Sequence, residues 1–233
     1  MVGGRAKASK TPADWAAMAA VALPALHPAR SADLHPGADF DALAFDGLTA
    51  EEADADGARF LECRFSDCQF GSFRLRRSTL SGCVLEDVRT PVLDAADSTW
   101  REVAVRRGRL GAFIAPGVDL LRVTVDGGRL DYVNLRGANL TQVQFLDCRI
   151  AELDVGSAQL AQVRFRGCQL DRLVLTAAAL QDVDLRGAQL AAVDGVDRLA
   201  GAVLTPEQLV QVAPALAASM GIGVADPESA TRP

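Results

Sequence analysis

Leu135-Arg136-Gly137-Ala138-Asn139-Leu140-Thr141-Gln142-Val143-Gln144-Phe145-Leu146-Asp147-Cys148-Arg149-Ile150 carries a large apolar residue at every fifth position, in Leu135, Leu140, Phe145 and Ile150. Counting outward in both directions, from Phe60 to Leu190, gives 27 such positions, and only Thr90, Ala95 and Ala115 among them are not large and apolar. The register never slips, and Phe45 with Leu43 and Leu48 carries it upstream. A five-residue step rotates a side chain by about 140° on an α-helix, which scatters the series around the cylinder. On a single straight strand an odd step sends alternate members to opposite faces. The chain must therefore bend once per five residues, each side delivering its central residue to a shared interior, and that is a solenoid.

The position two residues earlier fixes the number of sides. From Val133 it reads Val133, Ala138, Val143, Cys148, Leu153, Ala158, Val163, Cys168, alternating larger with smaller. Steps of twenty sharpen the pattern: Phe73, Leu93, Phe113, Val133, Leu153, Leu173 and Val193 form one column, and Ala58, Ser78, Ser98, Val118, Ala138, Ala158 and Ala178 another. Four five-residue sides make one coil.

With these residues in view, the sequence resembles the pentapeptide-repeat family, whose unit is a small residue, Asp or Asn, Leu or Phe, then two variable residues. Ala138-Asn139-Leu140 matches it fully, and Leu135–Leu140 and Leu185-Arg186-Gly187-Ala188-Gln189-Leu190 are close copies of its phrasing. The resemblance implies an all-β fold, a right-handed quadrilateral parallel β-helix, here of about seven to eight coils. Many repeats carry Arg, Gln or Thr at the Asp or Asn position, so side-chain bracing of individual turns is expected to be intermittent. The expected organisation is an N-terminal extension over 1–42, with a short helix opened by Thr11-Pro12-Ala13-Asp14 and a Pro-rich linker, then the β-helix over 43–200. A C-terminal helical cap over 201–225 and a disordered tail over 226–233 complete it.

A solenoid needs its apolar ends covered. Thr205-Pro206-Glu207-Gln208 is a helix start, and Leu209, Val212, Ala213, Leu216 and Met220 follow with helical spacing, stopped by Gly221. Pro214 is expected to kink or split that helix. Leu209, Val212, Leu216 and Met220 are expected to cap the core, with a dimer contact as their alternative role. All five cysteines, Cys63, Cys68, Cys83, Cys148 and Cys168, fall on the inward companion position, so free thiols serving as small core residues are expected.

No catalytic constellation emerges. His27 and His35 lie outside the main repeat, and no phosphate-binding loop, nucleophile elbow or zinc spacing is present. The reading is a non-catalytic cytoplasmic interaction or scaffold protein of bacterial type, without cofactor or metal. The net charge of -6 argues against direct nucleic-acid binding. The family resemblance implies the alternative: some of its members, the quinolone-resistance proteins among them, mimic DNA and bind DNA gyrase or topoisomerase IV. Against it, residues 58–200 hold 19 Arg and 18 acids, with no acidic side, while nine of the acids lie in residues 1–57. A third reading is a secreted or envelope-associated β-helix, since Arg5, Lys7 and Lys10 precede an uncharged stretch from Trp15 to Leu26. Two arginine clusters, Arg74, Arg76, Arg77 and Arg106, Arg107, Arg109, are the candidate partner-binding surface.

Overall fold

Alternation within a short strand puts residues i and i-2 on the same face, and a bend at each corner then turns the next side through a right angle. A computed structural model of the chain describes residues 20–30 and 33–224 and realises this rule throughout. Twenty strands form one parallel sheet wound into a solenoid of about nine turns, against the expected seven to eight. The surplus lies at the N-terminal end. Ala38 and Phe40 already occupy the companion and central positions, and the strand Asp39–Asp41 pairs in register with Arg59–Leu61. A two-residue strand, His27–Pro28, pairs with Leu43–Ala44 and caps that end. The solenoid therefore begins ahead of residue 43, in the segment expected to be a linker. The expected N-terminal helix at Thr11 and the tail after Asp226 lie outside the described residues.

Each coil stacks on the next with an offset of twenty, as in Asn139↔Gln159, Leu140↔Leu160, Val143↔Val163 and Phe145↔Phe165. Like side chains therefore meet like. Phe45 and Phe65 stack with centroids 4.6 Å apart, Phe40 and Phe60 at 4.8 Å and Phe145 and Phe165 at 4.9 Å, the spacing of hydrogen-bonded strands. Central and companion residues together form one continuous apolar core.

Three of the four corners turn through a residue with positive φ two places after the central one, as at Glu62, Asp67 and Arg77 after the central residues Phe60, Phe65 and Leu75. The fourth corner, in the column through 72, 92, 112 and 132, has no such residue, and the strand runs through it, as in Arg89–Asp94 and Arg109–Ile114. One place before it stand Gly71, Pro91 and Gly111, small or φ-restricted residues on three successive coils. A Cβ on Gly111 would come within 2.6 Å of the Pro91 carbonyl oxygen, so the backbone of this corner packs tightly from coil to coil.

The core's few polar groups are nearly all satisfied. Ser78 and Ser98 donate to the carbonyls of Leu75 and Ala95 at 2.6 and 2.7 Å, and Thr90 donates to the Val92 carbonyl at 2.8 Å. All five cysteines are buried free thiols. Each Sγ–H reaches a carbonyl of the coil before it, such as Cys68 to Phe45 at 3.1 Å and Cys168 to Phe145 at 3.3 Å. Stacked cysteines perturb one another: the Cys63 sulfur, then burial, pushes the Cys83 thiol upward, and Cys168 with burial does the same to Cys148.

At the C-terminal end, helix α1 (Pro206–Ser219) closes the core. Thr205 and Gln208 form a reciprocal capping box, and the Gln208 Nε2 donates at 2.7 Å to both the Leu185 and Ala188 carbonyls. Val212 is buried under the helix. Contrary to the expected break, α1 runs unbroken through Pro214. Pro214 is exposed, and the carbonyl its ring leaves without a partner belongs to Val210, itself 73% exposed, where water can serve as donor.

Candidate functional site

With the interior filled, chemistry at this surface can come only from outward side chains, and their columns repeat every twenty residues. Among the described residues, eight outward arginines are committed to carboxylates on a neighbouring coil. Arg64 pairs with Asp46 at 2.6 Å, Arg76 with Asp94 at 2.7 Å, Arg107 with Glu86 and Asp87 at 2.7 Å each, Arg122 with Glu102 at 2.5 Å and Arg74 with Asp54. The Arg74 guanidinium holds the Asp54 carboxyl below its ordinary range. At the family's Asp or Asn position, Asp54, Asp94, Asn134 and Asp154 each accept from the backbone N–H two residues on. These four share one column, while Asp184 on another side accepts in the same way from the Arg186 N–H at 3.1 Å, so the expected intermittent bracing falls mainly on one side.

The two expected arginine clusters do not meet. Arg76 and Arg77 follow the central residue Leu75, and Arg106 and Arg107 follow the central residue Val105, two sides later in the coil, so they occupy diagonally opposite corners. Arg74, Arg76 and Arg107 are spent on the ion pairs above, and Arg106 also has a partner. A second outward column, Val84, Ala104, Thr124 and Gln144, is buried although its side chains face away from the core. There Gln144 donates from Nε2 to Thr124 Oγ1 at 2.7 Å and accepts from the Arg164 Nε and Nη2 at 3.0 and 2.6 Å.

A different arrangement involves Arg109. Arg89, Arg109, Arg129 and Arg149 are in direct register on four successive coils. The column reads Thr49, Gln69, Arg89, Arg109, Arg129, Arg149, Gln169, Gln189, without an acid along its length. Among the described residues, Arg89, Arg109 and Arg149 form no ion pair. Arg129 meets Asp131 at 2.7 Å, while the nearby Asp87 is bound to Arg107. The row lies beside the fourth corner. There the missing side chain at Gly111, between Pro91 and Asp131, opens a groove of about 450 Å³ whose floor is Phe70, Thr90 and Leu110. Pro91 lines it as an exposed apolar residue, and Val92, next in the chain, is 39% exposed.

Among the described residues, no three His, Cys, Asp or Glu side chains converge to hold a metal ion. No helix among them is long and apolar enough to cross a membrane. Leu209 on α1 and Met220 just past its end are 52% and 74% exposed, Leu216 is half-buried, and of these four expected cap residues only Val212 is buried.

Fold and surface together define a parallel β-solenoid with five-residue sides whose functional groups are all on the outside. Residues 158–194 match the family model for pentapeptide repeats in eight copies, and the same side geometry continues unbroken back to Ala38. Residues 158–194 are pentapeptide repeats, and the rest of the solenoid resembles that family in its five-residue sides. No curated protein matches its sequence. Solved structures similar to it include HetL, a pentapeptide repeat protein involved in heterocyst differentiation regulation from the cyanobacterium Nostoc. It is 18% identical over 74% of this chain and 91% of its own, with a TM-score of 0.28. A second is QnrB1, a plasmid-mediated fluoroquinolone resistance protein, 19% identical over 88% of this chain and 98% of its own, with a TM-score of 0.32.

Proposed function

We propose that this chain is a non-catalytic interaction module, a rigid rod that presents one face to a protein partner. The observation that carries the reading is the row Arg89, Arg109, Arg129, Arg149, in which, among the described residues, only Arg129 meets a carboxylate, that of Asp131, on a surface where eight other arginines are cross-braced by carboxylates one coil away. Like charges stacked at strand spacing repel one another, so the row costs the isolated fold something and stabilises a complex with an oppositely charged surface. Of the earlier candidate arginines, only Arg109 belongs to this row. Five buried reduced thiols fit a reducing compartment, which supports a cytoplasmic location. The exposed Leu209 on α1 and Met220 at its C-terminal end suit contact with a second copy of the chain. The test is affinity capture from host lysate by the full chain and by an Arg89→Glu/Arg109→Glu variant of unchanged melting temperature. Proteins retained by the first and lost by the second are expected; a capture list identical for both removes the face from consideration.

A topoisomerase-binding DNA mimic is supported less well. Such a mimic needs a sustained negative stripe. Asp39, Asp41, Asp46, Glu51, Glu52, Asp54 and Asp56 sit on the first full coil alone, and the long row further along has the opposite sign. A gyrase supercoiling assay, with and without a quinolone, is expected to be unaffected by the protein. Inhibition or protection at stoichiometric concentration would reverse the order of the two readings.

A further inference from the structure

We infer that the groove beside the Arg89, Arg109, Arg129, Arg149 row binds an acidic α-helical segment of a partner protein, one carboxylate per coil. The inference rests on the interaction-module reading and adds the chemistry and secondary structure of the partner.

The spacing selects the helix. The row advances by one coil, about 4.8 Å, per arginine. An α-helix laid along the rod brings acids at i, i+3 or i+4 to one face about every 5.4 Å, a drift of roughly 0.6 Å per coil that flexible guanidinium arms absorb. An extended segment repeats on one face only every 6.8 Å or so and falls out of step by about 2 Å at each coil. Guanidinium forks are suited to carboxylates, which they bind through paired N–H donors. Three of the four forks are uncommitted among the described residues, and Arg129 shares its charge with Asp131. The groove of about 450 Å³ lies alongside, where Gly111 interrupts the wall, and the exposed Pro91 in its lining offers an apolar contact for one aliphatic side chain of the same helix.

The observations favour a protein over a nucleic acid. Four arginines span only about 14 Å, too short to engage the several phosphates from which nucleic-acid binders draw affinity. A polyanion continuing along the rod would meet Glu51 and Glu52 near the same corner, on a chain of net charge -6. A short acidic helix ends before it reaches them.

The experiment is fluorescence anisotropy of the full chain with three labelled probes at low salt. They are an alanine-based helical peptide with glutamates at i, i+3 and i+4 spacing and one leucine, a scrambled peptide of the same composition, and DNA as a short single strand and as a duplex. The striped peptide is expected to bind more tightly than the scrambled one and to weaken as salt is raised. Arg89→Glu/Arg109→Glu should weaken it by roughly tenfold or more, while Arg101→Glu/Arg166→Glu, the same charge change at exposed sites on other corners, leaves it unchanged. Arg89→Gln/Arg109→Gln provides the same comparison should the charge reversal impair folding. Equal binding of striped and scrambled peptides, retained affinity in both double variants, or tighter binding of DNA than of peptide would each overturn the inference. Such a failure leaves the interaction-module reading intact, because that reading is judged by capture of proteins from lysate; an empty capture alongside peptide binding would sink the broader reading instead.

Discussion

Trp100 shows how a repeat tolerates an irregular member. Ala95 and Ala115 leave two small residues in one inward column, and Trp100 on the adjoining side fills part of the space, with its ring 5.5 Å from that of Phe113. The exchange is incomplete: an apolar void of about 20 Å³ remains beside Trp100, Phe113, Leu120 and Leu135, and the indole Nε1 has no hydrogen-bond partner. Two opposing terms follow. Trp100→Leu removes ring volume without collapse of the surrounding coils and should cost about 2–4 kcal/mol. Trp100→Phe loses less volume and also removes the unpaired N–H, so its cost should be about 1 kcal/mol. Urea unfolding of both variants checks this, and equal losses would refute the volume argument. The inward residues were legible because burial imposes one apolar rule on every coil. The arginine row was not, because charges summed over a side cancel, and only sorting outward positions by twenty separates Arg89, Arg109, Arg129 and Arg149 from the acids beside them.

At the level of elements, the ends obey different rules from the middle. Helix α1 was legible from Thr205-Pro206-Glu207-Gln208, yet its tie to the core was not. Sequence assigns Gln208 to the capping box, where its Oε1 accepts from the Thr205 N–H at 2.8 Å. Its Nε2 faces the other way and serves the Leu185 and Ala188 carbonyls, which the last coil would otherwise leave without donors. One residue thus fixes both the helix start and its docking. Gln208→Ala is expected to cost about 2–3 kcal/mol, more than the roughly 1 kcal/mol of Thr205→Ala, which removes a cap contact alone. Thermal melts monitored by circular dichroism would rank the two, and a larger loss for Thr205→Ala would show that docking through Gln208 is weak. The N-terminal boundary was misplaced because Ala38 and Phe40 are separated from the clear run by Ala50 and Ala55, small residues at central positions, and by Ala53 at a companion position, which keep the pattern without announcing it. Pro214 was misread because its effect depends on whether the carbonyl it orphans is wet, a fact of tertiary placement.

Across the whole molecule, each coil touches only its neighbours, so stability should accumulate coil by coil, with register as the one global constraint. Deleting residues 118–137 removes one full coil and joins Gly117 to Ala138, so that Ala115-Pro116-Gly117 leads into Ala138-Asn139-Leu140 as Leu135-Arg136-Gly137 does in the intact chain. Trp100 then stacks on Leu140, Val103 on Val143, Phe113 on Leu153, and every inward residue still meets an inward residue. The shortened chain is expected to fold, with a strand signal per residue unchanged. Deleting 118–136 instead moves each downstream side by one place, directing Asn139 and Gln144 toward the axis and Leu140 and Phe145 toward solvent. That chain should aggregate or remain unfolded, although it retains one residue more. The first deletion also leaves Arg89, Arg109 and Arg149 contiguous, so a three-arginine row should retain part of its affinity for the striped peptide. Cooperative melting of the 19-residue deletion, or failure of the 20-residue one, would mean that something other than the five-residue side holds these coils in register.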